Sequence, residues 1–275
     1  MRNTSLSGLL SAIVILSSVS CANTTPTTSS LSEHKVGIVA HRGFWNCEEA
    51  GYAQNSVAAL RQAQLAGFWG SEFDVQLTAD TIVVSNHDKE YGPYKWHIID
   101  HTYADLCQFP LPNGETLPTL SDYLRQGREC STTKLVLEFK KQRTDELTLL
   151  LVEKTMQIIR EEGLFDPSRI MFISFSKPAC LHIAKTYPQF DCQYLTGNMS
   201  ASALKKAGLT GADYHQALYN RSKVKSLHKQ GLDANVWTVD SPKKMSKLFS
   251  WGIDYITTNE PLKARELLEG NEKQL

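Results

Sequence analysis

Glu72 and Asp74 stand two residues apart in Ser71–Gln76, a run that reads as a β-strand. Side chains of a strand alternate between its two faces, so both carboxylates point the same way. Thr78-Ala79-Asp80-Thr81 breaks the run, and Ile82-Val83-Val84 starts another. A tight hairpin centred on Ala79-Asp80 predicts that position 72 pairs with 87 and position 74 with 85. That register sets His87 across from Glu72, on the carboxylate face. Two carboxylates and an imidazole on one sheet face suit a metal ion and a general acid or base. An exposed polar ribbon would carry the same residues, so the decision rests on what else the chain brings to that place.

From Val36 onward, short apolar runs alternate with amphipathic helical patterns. The runs are Val36–Ala40, Ser71–Gln76, Leu135–Phe139, Ile170–Ser174, Cys192–Leu195, Ala212–Tyr214, Ala234–Val239 and Ile253–Thr257. Helical patterns fall near Gln54–Ala66, Leu120–Gln126, Thr144–Glu162, Pro178–Tyr187, Ala201–Lys206, Arg221–Gln230, Pro242–Ser250 and Leu262–Leu268. Eight strands, each followed by a helix, predict an α/β fold in one domain over residues 35–270: a closed (β/α)8 barrel, the TIM-barrel architecture. Ile82–Asn86 has no helix before it and is expected as a hairpin arm after strand 2, not as a ninth parallel strand. Residues 88–119, about 30 in number and rich in aromatics, His and Pro, break the rhythm; loops of that length usually carry function, and this one is expected as an insertion over the catalytic face.

Catalytic groups of such barrels sit at the C-terminal ends of the strands. The first strand ends in His41-Arg42-Gly43. The second brings Glu72 and Asp74, with His87 from the hairpin. The third, Leu135–Lys140, puts Glu138 and Lys140 on one face and turns Leu135, Leu137 and Phe139 to the helices. The seventh carries Trp237 in phase with Asn235, and the eighth ends at Thr258-Asn259. Polar residues at one phase and apolar residues at the other recur from strand end to strand end, which favours a joint active site over a solvated ribbon.

The chain has 275 residues with 29 basic and 29 acidic side chains, a formal net charge of zero. That balance gives no footprint for nucleic acid and no polybasic membrane patch. Met1-Arg2, the apolar core Leu9–Leu16 and the small residues before Cys21 read as a secretory signal over residues 1–20, too short to span a bilayer. Cys21 is either the lipidated residue of an envelope lipoprotein or the first residue of a soluble exported protein. Residues 21–34 are a Thr/Ser-rich tether with nothing to bury. Roughly 240 residues then remain for a domain with a sizeable core. The expected location is outside the cytoplasm, periplasmic or envelope-anchored, with membrane contact only through Cys21. Cys47, Cys107, Cys130, Cys180 and Cys192 form no CxxC pair, which argues against a structural zinc.

AHRGFW (Ala40 to Trp45), AQNSVAAL (Ala53 to Leu60), GSEFDVQLTAD (Gly70 to Asp80), VVSNHD (Val83 to Asp88), LPTLSDYL (Leu117 to Leu124), LVLEFK (Leu135 to Lys140) and VWTVD (Val236 to Asp240) follow in one order. In that order the chain resembles the glycerophosphodiester phosphodiesterases, from about residue 36 to 265. The resemblance implies a phospholipase-C-like barrel that hydrolyses glycerophosphodiesters to sn-glycerol 3-phosphate and an alcohol with one divalent cation. Glu72, Asp74 and Glu138 match the family's carboxylate metal ligands, and such hard oxygen donors suit Mg²⁺ or Ca²⁺. His41 and His87 match its paired catalytic histidines, one taking a proton from the attacking hydroxyl and one giving a proton to the leaving alcohol, in either order. Arg42 would brace the phosphate, Lys140 would add a second positive charge, and Trp237 is either core packing or a wall for the glycerol unit. The chain departs from the family at Gln54, where a metal-ligating Glu is usual; Gln54 keeps an amide oxygen as a weaker donor. Asn259 also stands where Asp is frequent. Alternative readings are a related phosphodiesterase acting on an inositol or sugar head group, and an envelope lipoprotein that binds a phosphodiester without turning it over.

Overall fold

The computed structural model describes residues 36–272; the expected leader (1–20) and the tether with Cys21 (21–34) lie outside the described residues. In chain order the strands are β1 (Gly37–Ala40), β2 (Gly70–Leu77), β3 (Val83–Ser85), β4 (Glu90–Tyr91), β5 (Trp96–His97), β6 (Lys134–Phe139), β7 (Ile170–Ser174), β8 (Cys192–Tyr194), β9 (Gly211–His215), β10 (Asp233–Trp237) and β11 (Tyr255–Thr258). The helices are α1 (Val57–Leu65), α2 (Tyr103–Leu106), α3 (Leu120–Arg128), α4 (Asp145–Glu161), α5 (Lys177–Thr186), α6 (Ala201–Lys206), α7 (Arg221–Lys229), α8 (Pro242–Phe249) and α9 (Pro261–Glu272). Among these, β1, β2, β6, β7, β8, β9, β10 and β11 pair in parallel, and β11 returns to β1 to close the ring. The (β/α)8 barrel expected from the strand–helix rhythm is therefore the one observed.

The two phases of each strand do different work. Phe73, Val75, Leu137, Phe139 and Phe172 join the large core between the barrel and its helices. Val39, Val136, Met171, Ile173 and Leu195 fill the barrel interior, with Trp69, Trp237 and Tyr255 packed against them. Burying one such side chain contributes about 1.5–3 kcal/mol. That outer layer offsets what the carboxylates on the inner phase cost. Helix starts are held by side chains that satisfy the free backbone N–H groups of the first turn. Ser56 caps α1, and reciprocal Thr–Asp pairs, Thr102 with Asp105 and Thr119 with Asp122, start α2 and α3.

The hairpin differs from the expected register by one residue. The observed pairs are Val75 with Ser85, Gln76 with Val84 and Leu77 with Val83, so position 72 does not pair with 87 nor 74 with 85. The cause is the turn. Thr78 N bonds to Ile82 O at 3.0 Å, and Thr81 adopts φ 61°, so three residues and not two make the connection. In this register a longer ladder would turn His87 toward the helices. The strand ends at Ser85 instead, and Asn86 N makes the last bond, to Asp74 O at 3.2 Å. β3 is antiparallel and lies on the edge of β2 that β1 leaves after Ala40. Beyond it, residues 88–119 form the β4–β5 hairpin, α2 and a satellite core of Val84, Tyr91, Ile98, Leu106 and Leu117.

Candidate active site

The β1–α1 loop is bent into the mouth of the barrel. Arg42 and Asn55 both hold φ 56°, an uncommon conformation for side-chain-bearing residues, and Asn55 N bonds to Arg42 O at 3.0 Å. The bend aims two backbone donors at β2. Arg42 N donates to Glu72 Oε2 at 2.7 Å, and Gly43 N to Glu72 O at 2.9 Å. Gly43 is required here: its φ is +79°, and a Cβ would lie 2.6 Å from the Ala59 side chain. Asn55 also clamps Asp74, giving its Nδ2 proton to Oδ2 at 2.9 Å and accepting from the Asp74 backbone N at 3.0 Å.

Glu72, Asp74 and Glu138 each offer an oxygen within 4.8 Å of the others, and all three residues are buried. Asp74 and Glu138 are register partners on β2 and β6. Lys140 Nζ lies 2.9 Å from Glu138 Oε1 and 3.3 Å from Asp74 Oδ1. Apart from these ion pairs, neither oxygen has a hydrogen-bond donor among the described residues. Burial, then the charges of Asp74 and Glu138, push the Glu72 carboxyl well above the usual range. Burial and Asp74 push Glu138 up to about 8. Burial also pushes Asp74 upward, but Lys140, His87 and the Asn55 bond outweigh it and hold Asp74 below the usual value. Three crowded, buried carboxylates that share a single ammonium fit a hard divalent cation.

The two histidines approach from opposite elements. His41 Nδ1 bonds to Asn259 Oδ1 at 2.9 Å. The same oxygen accepts from Trp45 Nε1 at 3.1 Å, while Asn259 Nδ2 donates to Asp240 Oδ2 at 2.9 Å. A carboxylate only accepts here and an indole N–H only donates, so the amide can face only this way. His41 Nδ1 therefore carries the proton, and Nε2 is left with its lone pair. Burial and the Arg42 charge lower the His41 pKa to about 4, the Asn259 bond opposing them. His87 is reached through its backbone. Buried Gln76 donates from Nε2 to Asn86 O at 2.8 Å and to Asp88 O at 2.6 Å, gripping the chain on both sides of the histidine. Burial lowers the His87 pKa, while Asp74 and the 2.7 Å bond from Nδ1 to Asp88 Oδ1 favour the protonated form.

His41, Arg42, His87, Glu72 and Glu138 line one cavity of about 190 Å³, with Ile173, Phe175, Leu195 and Trp237 as its apolar wall. Trp237 is fixed by its indole N–H on Asp213 O at 2.9 Å and by edge contact with Phe175. Arg42 Nη1 donates to Gln54 Oε1 at 2.5 Å. Gln54 thus spends its amide oxygen on Arg42 and lines the neighbouring cleft with Asn86, Asp88 and Tyr91.

A sequence model of the glycerophosphoryl diester phosphodiesterase family matches residues 41–263, the span that holds every side chain of the site named above. The chain belongs to this family. The glycerophosphodiester phosphodiesterase of Bacillus altitudinis is 26% identical over 249 residues, covering 84% of this chain and 98% of that protein. The crystal structure of a glycerophosphodiester phosphodiesterase from Parabacteroides distasonis is 37% identical with a TM-score of 0.81, covering 86% of this chain and 98% of that one. A phosphodiesterase of Oleispira antarctica, solved in complex with the product sn-glycerol-3-phosphate, shares the fold at 22% identity and a TM-score of 0.69, covering 85% and 96%. The chain is a phosphoric diester hydrolase of the glycerophosphodiester phosphodiesterase type.

In this glycerophosphodiester phosphodiesterase barrel, sequence reasoning passed over the positioning residues. Asn55, Gln76 and Asp240 hold Asp74, His87 and Asn259. It also missed Asp213, which lines the cavity from β9 and whose carboxyl is held well above the usual range by burial and Glu138. The alternation Gly211, Asp213, His215 against Ala212, Tyr214 was the signal for it.

Proposed function

We propose that the chain hydrolyses glycerophosphodiesters to sn-glycerol 3-phosphate and an alcohol, with His41 as base and His87 as acid. The observation that carries this reading is the shared cavity of both histidines, Glu72 and Glu138. Glu72, Asp74 and Glu138 would hold a divalent cation, Mg²⁺ or Ca²⁺, which when bound supplies charge neutralisation at phosphorus and acidifies a nearby hydroxyl. His41 faces a neutral amide and is neutral above about pH 4, so Nε2 is free to take the proton of the attacking hydroxyl. That hydroxyl belongs to the glycerol unit or to water. His87 sits against Asp74 and Asp88, which support its proton against burial, Lys140 and Arg42, and in the protonated form it delivers that proton to the departing alcohol. Arg42 and Lys140 offset the phosphate charge, and Trp237 presents its ring to the glycerol carbons. Gln54 orients Arg42, and its amide oxygen would have to give up that bond to serve the cation as a weaker donor. Removal of either proton-transfer group, as His41→Ala or His87→Ala, is expected to lower glycerol 3-phosphate release by about 10²–10⁴-fold. Turnover near that of the unmodified protein in both variants would end this assignment.

A further inference from the structure

Asp213 and Asn235 are register partners on β9 and β10, and Asn235 pairs onward with Tyr255, two residues before Thr257 on β11. Their neighbours Ala212, Tyr214, Val236 and Ile256 belong to the outer core. By alternation Asp213, Asn235 and Thr257 therefore point into the barrel. They are 1%, 0% and 2% exposed. Both Asp213 oxygens, both polar atoms of the Asn235 amide and the Thr257 hydroxyl lack a hydrogen-bond partner among the described residues. Buried polar atoms are almost always paired, so a cluster of this kind facing a cavity marks a place for a hydrogen-bonding ligand. Asp213 and Thr257 line the same cavity as His41, His87, Glu72 and Glu138. Asp213 stands outside the carboxylate group able to share a cation.

The chemistry of the cluster selects the ligand. A phosphate only accepts hydrogen bonds and carries negative charge; it is drawn to Arg42 and the histidines, and it has no donor for the acceptor oxygens of Asp213 and Asn235. A hydroxyl both donates and accepts, as the Asn235 amide and the Thr257 hydroxyl do. Trp237 spends its N–H on Asp213 O and so shows the cavity a ring, a surface for the C–H face of a polyol. We propose that Asp213, with Asn235 adjoining it and Thr257 beside it, is a hydroxyl-recognition subsite that takes the free hydroxyls of the substrate's glycerol unit and sets specificity for polyol phosphodiesters. The subsite rests on the hydrolase reading above for the identity of its polyol.

Calorimetric binding of sn-glycerol 3-phosphate and of propyl phosphate, which has the same charge and carbon chain without hydroxyls, tests the subsite directly. The unmodified protein is expected to bind glycerol 3-phosphate about 10–100-fold more tightly. Asp213→Leu should erase that preference, and the near-isosteric Thr257→Val should reduce it by about tenfold while keeping the shape of the core. Asp213→Asn, which retains a donor and an acceptor, should keep most of it. A preference unchanged in Asp213→Leu and Thr257→Val, or no preference in the unmodified protein, would overturn the proposal and leave the cluster to water alone. Release of glycerol 3-phosphate from glycerophosphocholine is measured alongside. Hydroxyl-dependent binding without any release would remove the hydrolase reading and leave the subsite standing.

Discussion

His41 and His87 differ in what faces their Nδ1 atoms: a neutral amide for one, a carboxylate for the other. Asn259 keeps His41 in a single tautomer, and its modest support for the charged form is outweighed by burial and Arg42; Asp240 holds Asn259 in place. Asn259→Asp tests this. A carboxylate facing Nδ1 favours the imidazolium, so the pKa of His41 rises, by about 1–3 units for an opposite charge at this range. A base must be deprotonated to act, so the acid limb of the kcat/KM profile should move to higher pH by that amount. A limb that stays where it was would show that His41 is not the base. His41 and Asn259 were legible in the sequence as strand-end residues, and Asp240 was not. Their arrangement was hidden because they stand 218 and 19 residues apart along the chain and meet only when β11 pairs with β1 on one side and β10 on the other.

The β2–β3 hairpin, as an element, exists to carry His87 back over two carboxylates. It does so by breaking its own ladder at Ser85 and handing the chain to the Gln76 side chain. Gln76→Leu keeps the strand and the size of the side chain and removes both bonds. The misplaced imidazole should then cost about 10–100-fold in kcat, with the cooperative unfolding of the barrel retained. Wild-type kcat in this variant would show that the backbone alone fixes His87. The strands themselves were readable, since β-branched and aromatic runs at even spacing leave few alternatives in a parallel barrel. The register of the hairpin was not. A two-residue and a three-residue turn both suit Thr-Ala-Asp-Thr, and the choice came from Thr81 adopting a positive φ. Asp213 was hidden for a related reason: it lies inside a short strand and not at its C-terminal end, where the chemistry of such barrels collects.

At the scale of the whole molecule, zero net charge gives no long-range pull on an anionic substrate, so the proposed reading leaves that attraction to local charges, Arg42 and Lys140 among them. Among the described residues, no helix is long and apolar enough to cross a membrane. For residues 1–34, outside the described residues, we propose export with lipidation of Cys21. Cells expressing the full chain should place it in the membrane fraction and label it with radioactive palmitate. Cys21→Ala should abolish the label and move the protein to the soluble exported fraction. Unlabelled, soluble protein from the unaltered chain would remove the anchor.

The fold, the carboxylate triad and the histidine pair converge on one claim, that this barrel cleaves glycerophosphodiesters with a divalent cation on Glu72, Asp74 and Glu138. The most direct test is glycerol 3-phosphate release from glycerophosphocholine by purified protein, before and after treatment with a chelator. Release should fall to background on chelation and return with Mg²⁺ or Ca²⁺. Release that persists unchanged in chelator, or that appears with neither ion, would contradict the claim.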